Sequence, residues 1–120
     1  MDAERHLDEL DALVGDDDDA AIAAITASEL LVGVALARGK RRIARQMFVD
    51  AVMEALPVLP YDLNVARAHV QLLVAVRRSG RPRGAHDLII AATAVSTRRI
   101  VLTADATGFA DLPEVDVRQH

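Results

Sequence analysis

The chain has 120 residues, a formal charge of −4 at neutral pH, no cysteine, and 52% apolar content carried almost without aromatics: two Phe, one Tyr, no Trp. That length suits one domain with a sizeable core. Absence of cysteine excludes disulfides and thiolate metal sites and fits a reducing, cytoplasmic setting. The acidic balance excludes a generally nucleic-acid-coated surface while leaving room for a local basic groove. No apolar run reaches bilayer-spanning length, and no basic-then-apolar leader opens the sequence.

In chain order, residues 2–14 place Leu7, Leu10, Leu13 and Val14 at helical spacing, and Gly15 stops that helix. An acidic run, Asp16 to Asp19, reads as a solvated loop, because four adjacent acids point in different directions and no calcium-loop spacing surrounds them. The small apolar run AAIAAIT (20–26) reads as a buried strand of about five or six residues. Thr26 or Ser28 is placed to cap a helix over 27–39, ended by Gly39. A second helix spans 40–56 and stops at Pro57, followed by a proline-bounded connection or edge strand over 57–62. A long helix over 64–80 turns Val65, Ala68, Leu72, Leu73 and Val76 inward. After a loop at 80–85 come a helix over 86–98, a strand over 99–105, a turn through Thr107 and Gly108, and a short strand near Val115 to Val117. Strands and helices alternate and the strands are apolar throughout, which predicts an α/β layer fold with a parallel sheet.

Three acids fall where strands give way to helices or loops, the edge at which parallel α/β sheets collect ligands. Glu29 comes after the first apolar strand, in the first turn of the next helix. Asp87 heads the helix that starts near residue 86, where it also serves as a helix-start acid. Asp105 ends the strand IVLTAD. Carboxylates gathered at one edge repel unless a cation is held between them, and oxygen-only ligands select a hard ion, Mg²⁺ or Mn²⁺.

The segments T-A-S-E-L (26–30), G-A-H-D-L-I-I-A-A-T-A (84–94) and L-T-A-D-A-T-G-F (102–109) resemble, in order and spacing, the PIN-domain ribonucleases, and among them the VapC-type toxins of bacterial toxin–antitoxin pairs. The resemblance covers most of the chain. It implies one PIN-like domain over residues 1–120, an α/β/α sandwich with a central parallel sheet, and RNA cleavage with Mg²⁺ or Mn²⁺. It further implies homodimerisation and inhibition by a VapB-like antitoxin. By position, Glu29, Asp87 and Asp105 stand where the family has its acidic, metal-holding catalytic residues, and Thr103 is placed to support the site by hydrogen bonding.

The chain departs from the family at its start. Family members begin with a buried strand ending in Asp-Thr-Ser or similar, whose Asp is a principal metal ligand. The opening M-D-A-E-R resembles the family's segment just after that strand, so Met1 reads as an internal methionine or a start placed too far downstream. The first strand is then expected to be missing, with Asp2 and Glu4 poor substitutes for its acid. The alternative function is a catalytically impaired remnant that acts only by binding the antitoxin.

Two basic clusters remain, Lys40, Arg41, Arg42 and Arg45, and Arg77, Arg78, Arg81 and Arg83. The second leads into Asp87. Arg77 and Arg78 suit the negative end of a helix equally well, while Arg81 and Arg83 are assigned to RNA phosphates. With almost no aromatics for stacking, recognition would rest on backbone and shape. His86 reads as a surface residue, and His6, His69 and His120 lack partners at metal-ligand spacing. The apolar positions Leu30, Leu31 and Val34, and Val49, Val52 and Met53, read mainly as core, with some part available to an antitoxin helix.

Overall fold

The computed structural model describes residues 20–103 and 108–119, with residues 102 and 103 described by backbone alone. The helix expected over 2–14, the acidic run, Asp2, Glu4, His6, Asp105, Thr107 and His120 lie outside the described residues. The chain divides between Leu59 and Pro60 into two compact units.

The first unit runs β1 (Ile22–Ala23), α1 (Ala24–Leu36), α2 (Gly39–Ala55) and β2 (Val58–Leu59). β1 and β2 pair in parallel, Ile22 opposite Val58 and Ala23 opposite Leu59, so the two helices form the crossover that a parallel pair requires. Val52 and Leu56 are buried there, with Ile22, Leu30 and Phe48 packed against them. The Arg45 guanidinium donates from Nη1 to the Gly33 carbonyl at 2.9 Å and ties α2 to α1. Gly39 opens α2 at φ 59°, a left-handed conformation that lets the chain reverse between helices and that a β-carbon would strain.

The strand expected over 20–26 is only two residues long, and the helix begins at Ala24 with Ala23 as its cap, so neither Thr26 nor Ser28 caps it. Periodicity does not separate a short buried strand from a buried helix, and alanine is the strongest helix former, so the helix takes over once the ladder ends. Glu29 therefore sits in the second turn of α1 rather than the first. α1 also ends at Leu36, leaving Gly39 to start α2 rather than to stop α1.

The second unit holds α3 (Leu63–Ser79), α4 (Ala85–Thr97), β3 (Val101–Thr103) and β4 (Val117–Gln119). The Asp62 carboxylate caps α3 by accepting the Val65 N–H at 2.9 Å, and Gly80, at φ 69°, ends it. α3 and α4 make the most extensive helix–helix contact of the described chain. Val65, Ala68 and Leu72 from α3 are buried with Leu88, Ala91 and Ala92 from α4, and Val101, Phe109 and Leu112 close the same core. Thr93, the one buried polar residue among those described, donates its hydroxyl to the Ile89 carbonyl at 2.8 Å, which satisfies it without a tertiary partner. β3 and β4 are parallel, with Val101 opposite Val117 and Thr103 opposite Gln119.

The class is therefore α/β, with helices in the majority and both described ladders parallel, as the alternating pattern of elements predicts. No described helix is long and apolar enough to cross a membrane. Leu72 is only 2% exposed, so Leu72→Ala is expected to cost about 3 kcal/mol, as for other fully buried leucines. Loss of the cap in Asp62→Ala is expected to cost about 1 kcal/mol. Urea denaturation of both variants checks the order as well as the size.

Candidate functional site

The loop between α3 and α4 runs from Gly80 through Arg81, Pro82 and Arg83 to Gly84, whose extended backbone starts α4. Asp87 lies in the first turn of that helix, at its positive end, immediately before the buried Leu88. The anchoring of Leu88 in the core leaves Asp87 half-buried at the rim of the second unit. Two glycines face its carboxylate. A β-carbon on Gly84 would stand 3.4 Å from Asp87 Oδ2, and one on Gly108 only 2.6 Å away. Among the described residues, no hydrogen-bond donor and no cation reaches that carboxylate.

The two arginines assigned to phosphates have partners of their own. Arg83 is half-buried and donates from Nη2 to the Ala110 carbonyl at 2.8 Å, while its Nε is buried without a partner. Arg81 is exposed and pairs with Asp111 at 3.4 Å, itself exposed. The side chains of Arg81 and Arg83 line a cleft of about 290 Å³ between the end of α3 and the turn at 111–113, with Val76, Ser79 and Leu112. The Arg83 bond to Ala110 was not legible in the sequence, since its acceptor is a backbone carbonyl 27 positions away. Another missed contact is Tyr61 with His69, whose hydroxyl and Nδ1 are 2.8 Å apart, the rings edge to face.

Glu29 lies on the exposed side of α1 in the first unit. Thr103 is the last residue of β3, in register with Gln119. Asp105 lies outside the described residues. Among the described residues no three His, Asp or Glu side chains form a metal-holding group. A half-buried carboxylate that no cation or donor among the described residues reaches, bounded on two sides by residues without side chains, is nevertheless the kind of oxygen ligand a hard divalent cation takes. Asp87 thus fits such an ion.

A family model described as the PIN domain matches residues 2–115. The chain belongs to the PIN-domain family. Within it, the VapC ribonuclease Y4jK of Sinorhizobium fredii is 39% identical over 92 residues, a match covering 73% of this chain and 66% of that protein. The match thus spans just under two thirds of that relative's length. Among solved structures, FitAcB from Neisseria gonorrhoeae is 31% identical with a TM-score of 0.78, covering 95% of this chain and 83% of that one. VapBC-5 from Mycobacterium tuberculosis, a member of the VapBC family of toxin–antitoxin systems, is 30% identical with a TM-score of 0.76 and covers 83% of this chain and 81% of that one. These similarities make the chain a PIN protein of the VapC type, and they bear out the fold expected from the three sequence segments.

For this PIN domain, the arginine contacts differ in weight. Arg83→Lys loses a charge-assisted bond to a backbone carbonyl beneath a half-buried side chain, and is expected to cost about 1.5 kcal/mol. Arg81→Gln breaks only an exposed pair, and is expected to change stability by less than about 0.5 kcal/mol. Chemical denaturation of the two variants, with amide exchange across residues 108–112, checks the difference.

Proposed function

We propose that this chain is a VapC-like endoribonuclease, hydrolysing RNA phosphodiesters with Mg²⁺ or Mn²⁺, with residues 1–120 working as one PIN domain in the cytoplasm. The observation that carries this reading is the Asp87 carboxylate at the head of α4, half-buried and faced by Gly84 and Gly108 in place of side chains. Support comes from the ribonuclease relative and from the family's acidic positions, which Glu29, Asp87 and Asp105 occupy in the sequence. Asp87 and Asp105 would hold the ion together with Glu29, and Asp105 stands only three positions before Gly108 in the chain. When bound, a divalent cation supplies positive charge against the phosphate as negative charge builds on it.

The chain's own residues have separate tasks. Asp87 and its two acidic companions hold charge that RNA alone would repel. Arg81, exposed beside the cleft, offers donors to a backbone phosphate, and Arg83 adds a fixed positive charge beside it. Thr103, two positions before Asp105, supports the site by hydrogen bonding. In the hydrolysis a water oxygen bonds to phosphorus, one P–O ester bond breaks, and the proton leaves with the departing oxygen.

A VapB-like antitoxin is the restraining partner, supported by the toxin–antitoxin context of VapBC-5. Of the positions expected to be mainly core, Val34, Val49 and Val52 are buried, Leu30 and Met53 are half-buried, and Leu31 is exposed. Leu31, Leu36, Ile43 and Met47 are exposed on α1 and α2, and Leu36 is 77% exposed, which suits the apolar face of a partner helix. Homodimerisation belongs to the same reading, with the exposed Leu63, Val70 and Val74 of α3 as the surface offered to a second copy.

The test is cleavage of a mixed RNA by the purified chain with Mg²⁺ or Mn²⁺, beside chelator and beside Asp87→Asn. Cleavage is expected to need the ion and to fall at least about 100-fold in the variant, since disturbing even the outer partners of a metal ligand costs 10–100-fold. Equal cleavage by both proteins would overturn the assignment of Asp87.

A further inference from the structure

Gly108 has no conformational need to be glycine. Its φ lies outside the left-handed region, unlike Gly39 at 59° and Gly80 at 69°, so its backbone would accept an alanine. The need is for space. A β-carbon there would stand 2.6 Å from Oδ2 of Asp87 and 3.4 Å from Cγ, yet 4.0 Å from Cβ, which is ordinary contact. Only the carboxylate end of Asp87 is in conflict. On the other side, a β-carbon at Gly84 would meet the same oxygen at 3.4 Å, also ordinary contact. The two glycines are therefore unequal: position 84 borders the carboxylate, whereas position 108 decides whether it can stay where it is.

We infer that Gly108 is a positioning residue, which keeps the Asp87 carboxylate in its place by leaving empty the volume that any side chain would fill. The turn carrying Gly108 is held from behind, because Arg83 donates to the Ala110 carbonyl at 2.8 Å and Phe109 and Leu112 are buried in the core. With the turn fixed and Asp87 anchored through Leu88, a methyl group at 108 cannot be relieved by moving the backbone. The carboxylate must rotate away. Gly108 does not touch the ion or the RNA; it acts through Asp87, and its effect on cation binding rests on the metal-site reading above.

The experiment uses the full chain as wild type, Gly108→Ala, Asp87→Ala and the double variant. The ¹³Cγ resonance of Asp87, assigned by its absence from Asp87→Ala, is recorded without metal, and Mn²⁺ affinity is measured by calorimetry. In Gly108→Ala the Asp87 resonance is expected to move, and Mn²⁺ affinity to fall at least about tenfold, the lower end of what displacing a ligand's surroundings costs. An unmoved resonance, or wild-type affinity where Asp87→Ala has lost it, overturns the inference. Should Gly108→Ala fail to fold, the double variant is expected to fold, since the methyl groups at 87 and 108 then meet at ordinary distance; a double variant that also fails overturns it. If wild type binds no Mn²⁺, or Asp87→Ala binds it as tightly as wild type, the metal-site reading fails, and the Asp87 resonance still decides the role of Gly108.

Discussion

The seam between α3 and α4 is the constraint on which the second unit depends. Its residues are small where the helices meet: Ala91 and Ala92 are wholly buried, with Ala68 facing the same core, and Val65, Leu72 and Leu88 fill the space around them. A core of this kind derives its stability from apolar area and close packing rather than from aromatic bulk, of which the chain has almost none. It also fixes orientation. With Leu88, Ala91 and Ala92 turned inward, the first turn of α4 has one rotation open to it, and Asp87 is carried to the rim.

From that seam the site is assembled outward by backbone rather than by side-chain pairing. Gly84 begins α4, the turn at 108–112 returns to cover the helix start, and Arg83 holds that turn by its Ala110 carbonyl. A carboxylate so enclosed would ordinarily be matched by a donor or a cation, because a half-buried charge loses part of its hydration. Among the described residues none is supplied, and glycines stand where donors could have been placed. That combination distinguishes Asp87 from Asp62, an acid in a similar local setting that spends its carboxylate on the Val65 N–H as a helix cap.

Much of this was legible from local pattern. The helices over 40–56, 64–80 and 86–98 are found within about one residue of those limits, since each is an unbroken run of helical length with Pro or Gly at one end or both. The run at 20–26 was not legible, because six small apolar residues satisfy a buried strand and a buried helix alike, and the choice fell to alanine's helical preference. Glu29 moved by a turn as a result. For Arg81 and Arg83 the sequence displays only charge and position, and charge does not reveal that one of them is committed to a carbonyl far along the chain.

The sequence by itself determined the class of the fold, its parallel pairing, and the segments that mark a PIN protein of the VapC type, because these are written in periodicity, chain order and short motifs. Only the tertiary structure decided what surrounds Asp87. Two glycines separated by 24 positions converge on one carboxylate, and a turn is held by an arginine 27 residues before it. Such distances are set by how helices and turns pack, and packing brings together residues that no local pattern relates.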